Sequence, residues 1–234
     1  MDIFHEAKRK LVPVRNTVYQ SIYKVQRRYY KHKIFCIGRN KTGTTSIQKA
    51  LYDLGFRVGN QREAELLSNF YFEGNYEPII DYCKKYQAFQ DVPFSWPETY
   101  KYLDKAFPNS KFILTVRDSS EQWYQSYVKF QSKIFKNGNV PTWEDLRNTE
   151  YVYKGWAFNN RKKLYNLSEE DDPYAKSILI QHYEKHNNDV IDYFKDRKDD
   201  LLILNLADKD SYKLLCTFLR IKSYKNNFPW LNKT

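Results

Sequence analysis

The sequence predicts a three-layer α/β domain, a central and mostly parallel sheet flanked by helices. Three observations carry that prediction. Short, continuously apolar runs recur along the chain, as in strands buried on both faces. Stretches whose apolar residues keep helical spacing alternate with them. No internal repeat and no linker divides the 234 residues, a length of one to one and a half domains at ~150 residues each.

The elements follow in order. Val14, Val18, Ile22, Val25 and Tyr29 fall on one side of a helix, with Arg15, Lys24, Arg27, Arg28 and Lys31 on the other. A basic amphipathic arm over 1–32 is therefore expected ahead of a single domain over 33–234. Lys33-Ile34-Phe35-Cys36-Ile37-Gly38 reads as the first buried strand. A glycine-bearing turn and a helical stripe of Ile47, Ala50, Leu51 and Leu54 follow, ending at Gly55. Strand, glycine loop and helix open a βαβ unit. Residues 88–92 read as a second strand ending at Pro93, with helical spacing from Glu98 to Phe107 behind it. Residues 111–116 form a strong third strand. Trp123, Tyr127, Phe130 and Ile134 then mark a helix capped by Ser119 or Ser120. Residues 137–150 read as loop. A long helix over about 173–195 precedes a last strand at 200–206 and a final helix at 212–219. With parallel strands, the site belongs at their carboxyl ends.

Composition bounds the function. Apolar residues are 41%, aromatic 18% and charged 29%, which excludes disorder and low-complexity classes. No apolar run approaches the ~18 residues a membrane span needs, and the N-terminus lacks the apolar centre of a secretory signal. Cys36, Cys83 and Cys216 are far apart and set in apolar surroundings. They read as reduced core residues, and a cytoplasmic protein without a metal site is expected. The formal net charge is +11, and the first 33 residues hold nine basic and two acidic side chains. Such an arm is either a solvated helix face or a contact for an anionic surface or glycan.

The most informative segment is Gly38-Arg39-Asn40-Lys41-Thr42-Gly43-Thr44-Thr45-Ser46. Lying between a buried strand and a helix, it has the context of an anion-cradling loop. Gly43 lets successive N–H groups point inward, and Thr44, Thr45 and Ser46 add hydroxyl donors. The glycine spacing is that of an NTPase P-loop, but Thr44 stands where such a loop has lysine, and Lys41 lies three residues earlier. ATP with magnesium is thereby disfavoured.

Lys41-Thr42-Gly43-Thr44-Thr45 resembles the 5′-phosphosulfate loop of the sulfotransferases that use 3′-phosphoadenosine 5′-phosphosulfate. Residues 112–118, with Ser126 beyond Arg117, resemble that family's 3′-phosphate site, and the likeness runs from about residue 33 to 233, its final part matching a bacterial-type branch. The resemblance implies the P-loop-like sulfotransferase fold and that co-substrate, held by Arg39, Lys41, Thr42, Gly43, Thr44, Thr45, Ser46, Arg117 and Ser126. Asn40 stands in place of the family's usual proline, and Ser46 where many members carry tryptophan. No histidine lies between Lys41 and Arg117, where small-molecule members keep their base. The glycan-modifying branch uses a carboxylate instead, for which Asp91 is the candidate, with a turn-capping role equally open to it.

The resulting expectation is sulfuryl transfer to a hydroxyl or amine of a saccharide or other small molecule. Lys41 meets the leaving phosphate, Asp91 acts as base, and Glu98, His182 and His186 stand in reserve. The aromatic residues of 143–165 are read mainly as core. Two rival classes remain: a small-molecule P-loop kinase, and a non-catalytic nucleic-acid-binding protein using the basic arm.

Overall fold

The computed structural model describes residues 31–223 and 225–229. The expected basic arm therefore lies almost wholly outside the described residues, as does the segment from Trp230 onward.

Four parallel strands form the sheet: β1 (Ile34–Cys36), β2 (Ala88–Gln90), β3 (Lys111–Val116) and β4 (Leu201–Asn205), in the order β2-β1-β3-β4. All three residues of β1 are buried, the condition that its continuous apolar run predicted. Alternation sends Ile34 and Cys36 into one core and Phe35 into the other. Phe35 pairs in register with Phe89 on one side and Phe112 on the other, and its ring stacks on both at 5.1 and 5.5 Å. Such pairs add about 0.5–1.5 kcal/mol each beyond the area they bury.

Helices cover both faces. Helix α1 (Thr44–Asp53) packs on the Ile34 side through Ile47, Ala50 and Leu51. Two short helices, α2 (Gln61–Glu65) and α3 (Ser68–Phe72), lead to α4 (Glu77–Lys84). Helix α4 and α5 (Thr99–Ala106) bury Ile79, Tyr100 and Leu103 on the Phe35 side. Helix α6 (Ser120–Phe135) begins where Ser119 accepts from the Gln122 N–H, one of the two caps expected.

Residues 137–150 are not all loop. Helix α7 (Trp143–Asn148) lies within them, opened by a capping box between Thr142 and Asp145. Its two apolar positions, Trp143 and Leu146, are too few to show as periodicity. Helix α8 (Trp156–Tyr165) follows, then α9 (Lys176–Tyr193) and α10 (Ser211–Phe218). Helices α2, α3, α4 and α8 had no counterpart in the sequence reading. No helix among the described residues is long and apolar enough to cross a membrane.

The chain leaves β1 toward β2 on one side of the sheet and returns to β3 on the other. The carboxyl ends of β1 and β3 therefore flank the point where connections diverge, the usual ligand crevice of a parallel sheet.

Candidate active site

A cleft of about 310 Å³ opens at that crevice. Its floor is the stretch from Asn40 to Gly43 of the loop that leaves β1. Gly38 crosses β3 so closely that a Cβ would collide with the hydroxyl and both main-chain polar atoms of Thr115. Thr42 donates its one hydroxyl hydrogen to the Arg39 carbonyl at 2.5 Å and contacts the Thr115 hydroxyl at 2.5 Å. Since Thr42 has no second hydrogen to give, Thr115 is the donor in that contact. The Thr42 side chain is thus turned into the protein to hold the loop, and is buried.

The loop then rises. Asn40 accepts at its carbonyl from Trp123 Nε1 at 2.9 Å, and Lys41 accepts from Arg117 Nε at 2.7 Å. Lys41 adopts φ 71° and Gly43 φ 103°, left-handed values that bring the chain sharply into α1. A Cβ at Gly43 would lie 2.6 Å from Leu206 Cδ2. Among the described residues no side chain caps α1, and its first turn holds no acidic residue, so its positive end favours an anion. Thr44 and Ser46 are buried and Thr45 is exposed, all three lining the cleft.

Two cations enter the same space. The Lys41 ammonium sits 3.9 Å over the Phe130 ring. Burial lowers its pKa, and Arg117 and Lys133 lower it further. Arg117, at the end of β3, is fixed at its Nε by Lys41 and at its backbone N–H by the Tyr183 hydroxyl, 3.1 Å away. Its acidic neighbour Asp118 is engaged elsewhere, by Asn205 Nδ2 at 2.5 Å and Gln122 Nε2 at 2.9 Å. The guanidinium forms no ion pair among the described residues.

Across the cleft, Asp91 follows β2 at φ 61° and accepts from the Thr44 hydroxyl at 3.4 Å. Burial raises its pKa, while the Val92 N–H, Thr44, Arg39 and Lys41 pull it back.

Lysine, arginine, open helix end and carboxylate therefore meet at the crevice. Against that geometry, the sequence profile described as a sulfotransferase domain matches residues 33–234. The chain belongs to the sulfotransferase domain family. No curated protein matches it.

This assignment makes the protein a sulfuryl-transferring enzyme, a class outside both the kinase and the nucleic-acid-binding expectations. The other predicted residues of the sulfotransferase are distributed unevenly. Ser126 is buried on α6 and does not line the cleft. Arg39, 1% exposed, also stays out of it; its guanidinium donates to the Ser95 carbonyl at 3.0 Å and the Tyr165 hydroxyl at 3.1 Å. Glu98 is exposed and paired with Lys101 at 2.7 Å. His186 bonds the Ile37 carbonyl through Nε2 at 2.9 Å, which makes that nitrogen the donor, and His182 packs on Tyr165. Both imidazoles are pushed down to about 3, by burial first and by the Arg39 charge second.

The sequence reading missed one acidic group. Glu65 on α2 lines the cleft, 6% exposed, bonded by the Tyr151 hydroxyl at 3.3 Å and Arg62 at 3.1 Å, with its pKa raised by burial. Gln61 and Gln90 stand beside it, bonded to each other at 2.9 Å. Of the aromatic residues in 143–165, Tyr151 and Trp156 form cleft wall, although Trp156 also packs in the core.

Proposed function

We propose that the sulfotransferase moves a sulfuryl group from 3′-phosphoadenosine 5′-phosphosulfate to a hydroxyl or amine of a small acceptor, a saccharide in the first instance. The observation that carries this reading is the bond between Arg117 and Lys41 beside an uncapped helix end. It gathers two cations beside the positive end of α1 where a 3′,5′-bisphosphate presents two anionic ends. Lys41, Gly43, Thr44, Thr45 and Ser46 are the residues to hold the 5′ end, and Arg117 the 3′ end, by bidentate bonding.

The co-substrate supplies an activated sulfur bound to a phosphate oxygen. Lys41 meets the negative charge that grows on that oxygen as its bond to sulfur breaks. Asp91 accepts the proton released as the acceptor oxygen bonds to sulfur. A carboxylate kept above its ordinary range by burial is a better proton acceptor than an exposed one. The acceptor side of the cleft belongs to Glu65, Gln61, Gln90, Tyr151 and Trp156, a set of hydrogen-bonding groups with aromatic faces suited to a polyol. Cytoplasmic location remains the corresponding expectation for the compartment.

Titration of the protein with 3′-phosphoadenosine 5′-phosphate, and separately with ATP plus magnesium, tests the reading by calorimetry. Micromolar binding of the bisphosphate that Arg117→Ala weakens is expected. Binding of ATP alone would overturn the donor assignment.

A further inference from the structure

A second cavity of about 60 Å³ adjoins the transfer cleft, sharing Gln131 and Trp156 in its wall. Two arginines line it, and both are buried: Arg39 is 1% and Arg161 4% exposed. Among the described residues every hydrogen-bond partner they have is neutral. Arg39 uses the Ser95 carbonyl and the Tyr165 hydroxyl. Arg161 uses the Pro173 carbonyl at 3.1 Å and Gln131 Oε1 at 3.0 Å. Neither forms an ion pair among the described residues. The rings of Tyr127 and Tyr174, 4.8 and 4.4 Å from the Arg161 guanidinium carbon, also face that charge.

Arginine does not shed its proton to escape burial. Two guanidiniums whose nearest carboxylates, Asp91 and Asp172, act on them only from beyond ion-pair distance still leave bonding capacity that a closer anion would use. Unused bonding capacity lies at the same place. Among the described residues Arg39 Nε has no hydrogen-bond partner, nor has either amide atom of Asn160, a cavity-lining residue 6% exposed. A water needs about 10–15 Å³ of such space, so the cavity has room for a group of several heavy atoms.

We propose that this cavity is an oxyanion subsite, taking a carboxylate or sulfate ester carried by the acceptor itself. The sulfotransferase then acts on acidic acceptors, with Arg39, Arg161 and Asn160 reading the anionic group while the hydroxyl to be modified lies in the larger cleft. The inference rests on the donor reading only in assigning the larger cleft to sulfuryl transfer.

The test uses the full chain saturated with 3′-phosphoadenosine 5′-phosphate, so that the anion loop is filled. Methyl glucuronide, methyl glucoside and inorganic sulfate are titrated, with melting temperature as readout. The glucuronide is expected to bind at least about tenfold tighter than the glucoside, as charge-assisted bonding to desolvated cations requires. Asn160→Asp is expected to raise the melting temperature by itself, because the carboxylate supplies a closer counter-charge, and to abolish the glucuronide response. A glucuronide no tighter than the glucoside overturns the proposal, and so does a lowered melting temperature in Asn160→Asp. Stabilisation by sulfate without the glucuronide marks a closed site for a free anion and overturns the assignment to the acceptor. Failure of the bisphosphate to bind would remove the donor reading instead; the same titrations and the Asn160→Asp melt, taken on the unliganded chain, still decide the cavity.

Discussion

Arg117 Nε donates to the main-chain carbonyl of Lys41 at 2.7 Å. The cation at the end of β3 thereby holds the backbone of the loop at the end of β1, although 76 residues separate the two. Lysine has no second nitrogen with which to keep that bond and reach a phosphate. Arg117→Lys should therefore weaken bisphosphate binding by about tenfold or more with little change in melting temperature. Calorimetric titration beside a thermal melt checks both parts.

Lys41→Ala should leave the fold and much of the bisphosphate affinity intact while reducing the transfer rate about 10²–10³-fold, the usual loss for a preorganised charge partner. The rate of bisphosphate release from the phosphosulfate donor measures it. A variant that turns over normally would remove Lys41 from the reaction.

Asp91, the proposed base, should carry the pH dependence of the rate. Its pKa is raised from 3.8 by burial, so the ionised, proton-accepting form appears only as pH climbs past a midpoint above that value. The transfer rate should rise through this limb, and Asp91→Asn should flatten it and lower the plateau about 10²–10⁴-fold. The rate measured against pH at saturating donor gives both numbers. The linked effect on stability has the opposite sense: burial favours the protonated fold, so that share of stability is full below 3.8 and is lost as pH rises through the raised pKa.

Two glycines should fail in different ways. Gly38→Ala drives a methyl into the backbone of β3, a clash that rigid main chain does not relieve. A loss of about 3 kcal/mol, or roughly 10 °C in melting temperature, is expected. Gly43→Ala meets a movable Leu206 methyl but strains a residue at φ 103°. Its main cost should fall on bisphosphate affinity, because the loop it shapes is the one proposed to hold the 5′ end. Melts and titrations of the two variants, compared side by side, separate the effects.

His186 couples the fold to acid. The unfolded chain takes up its proton near 6.5, whereas the folded one holds off to about 3. Its contribution is therefore complete above 6.5 and is lost as pH falls toward 3, at about 1.4 kcal/mol per pH unit. His186→Asn keeps a donor for the Ile37 carbonyl and removes the proton. Its melting temperature should fall less steeply than that of the wild type between pH 6 and pH 4.

Much of the site was legible because its signals are local. The run Ile34 to Ile37 must be buried, Gly38 and Gly43 mark close approach and positive φ, and Lys41 stands between them. These properties depend on neighbours a few residues away, and the βαβ order placed Lys41 and Arg117 at carboxyl ends of strands. Asp91, at the end of its strand, was visible for the same reason. Helix α7 was within reach too, since Thr142 and Asp145 spell its cap, but a helix of six residues leaves too few apolar positions to show a period.

The remainder required the folded chain. Glu65 enters the cleft because α2 is held by a bond from Gln61 to the Val92 carbonyl and by Tyr151, 86 residues away. Arg39 sits in the loop that the sequence marks, yet its guanidinium runs inward to Tyr165, 126 residues on, and there meets the cavity shared with Arg161. Ser126 has a plausible spacing from Arg117, but the turn of α6 buries it outside the cleft. By itself the sequence determined the alternation of strands and helices and the glycine loop with its lysine between β1 and α1, since backbone conformation and strand burial are set by short-range sterics and hydropathy. Which carboxylates face that loop, and where each arginine points, was decided by tertiary packing, because a side chain's direction depends on contacts that sequence distance does not encode.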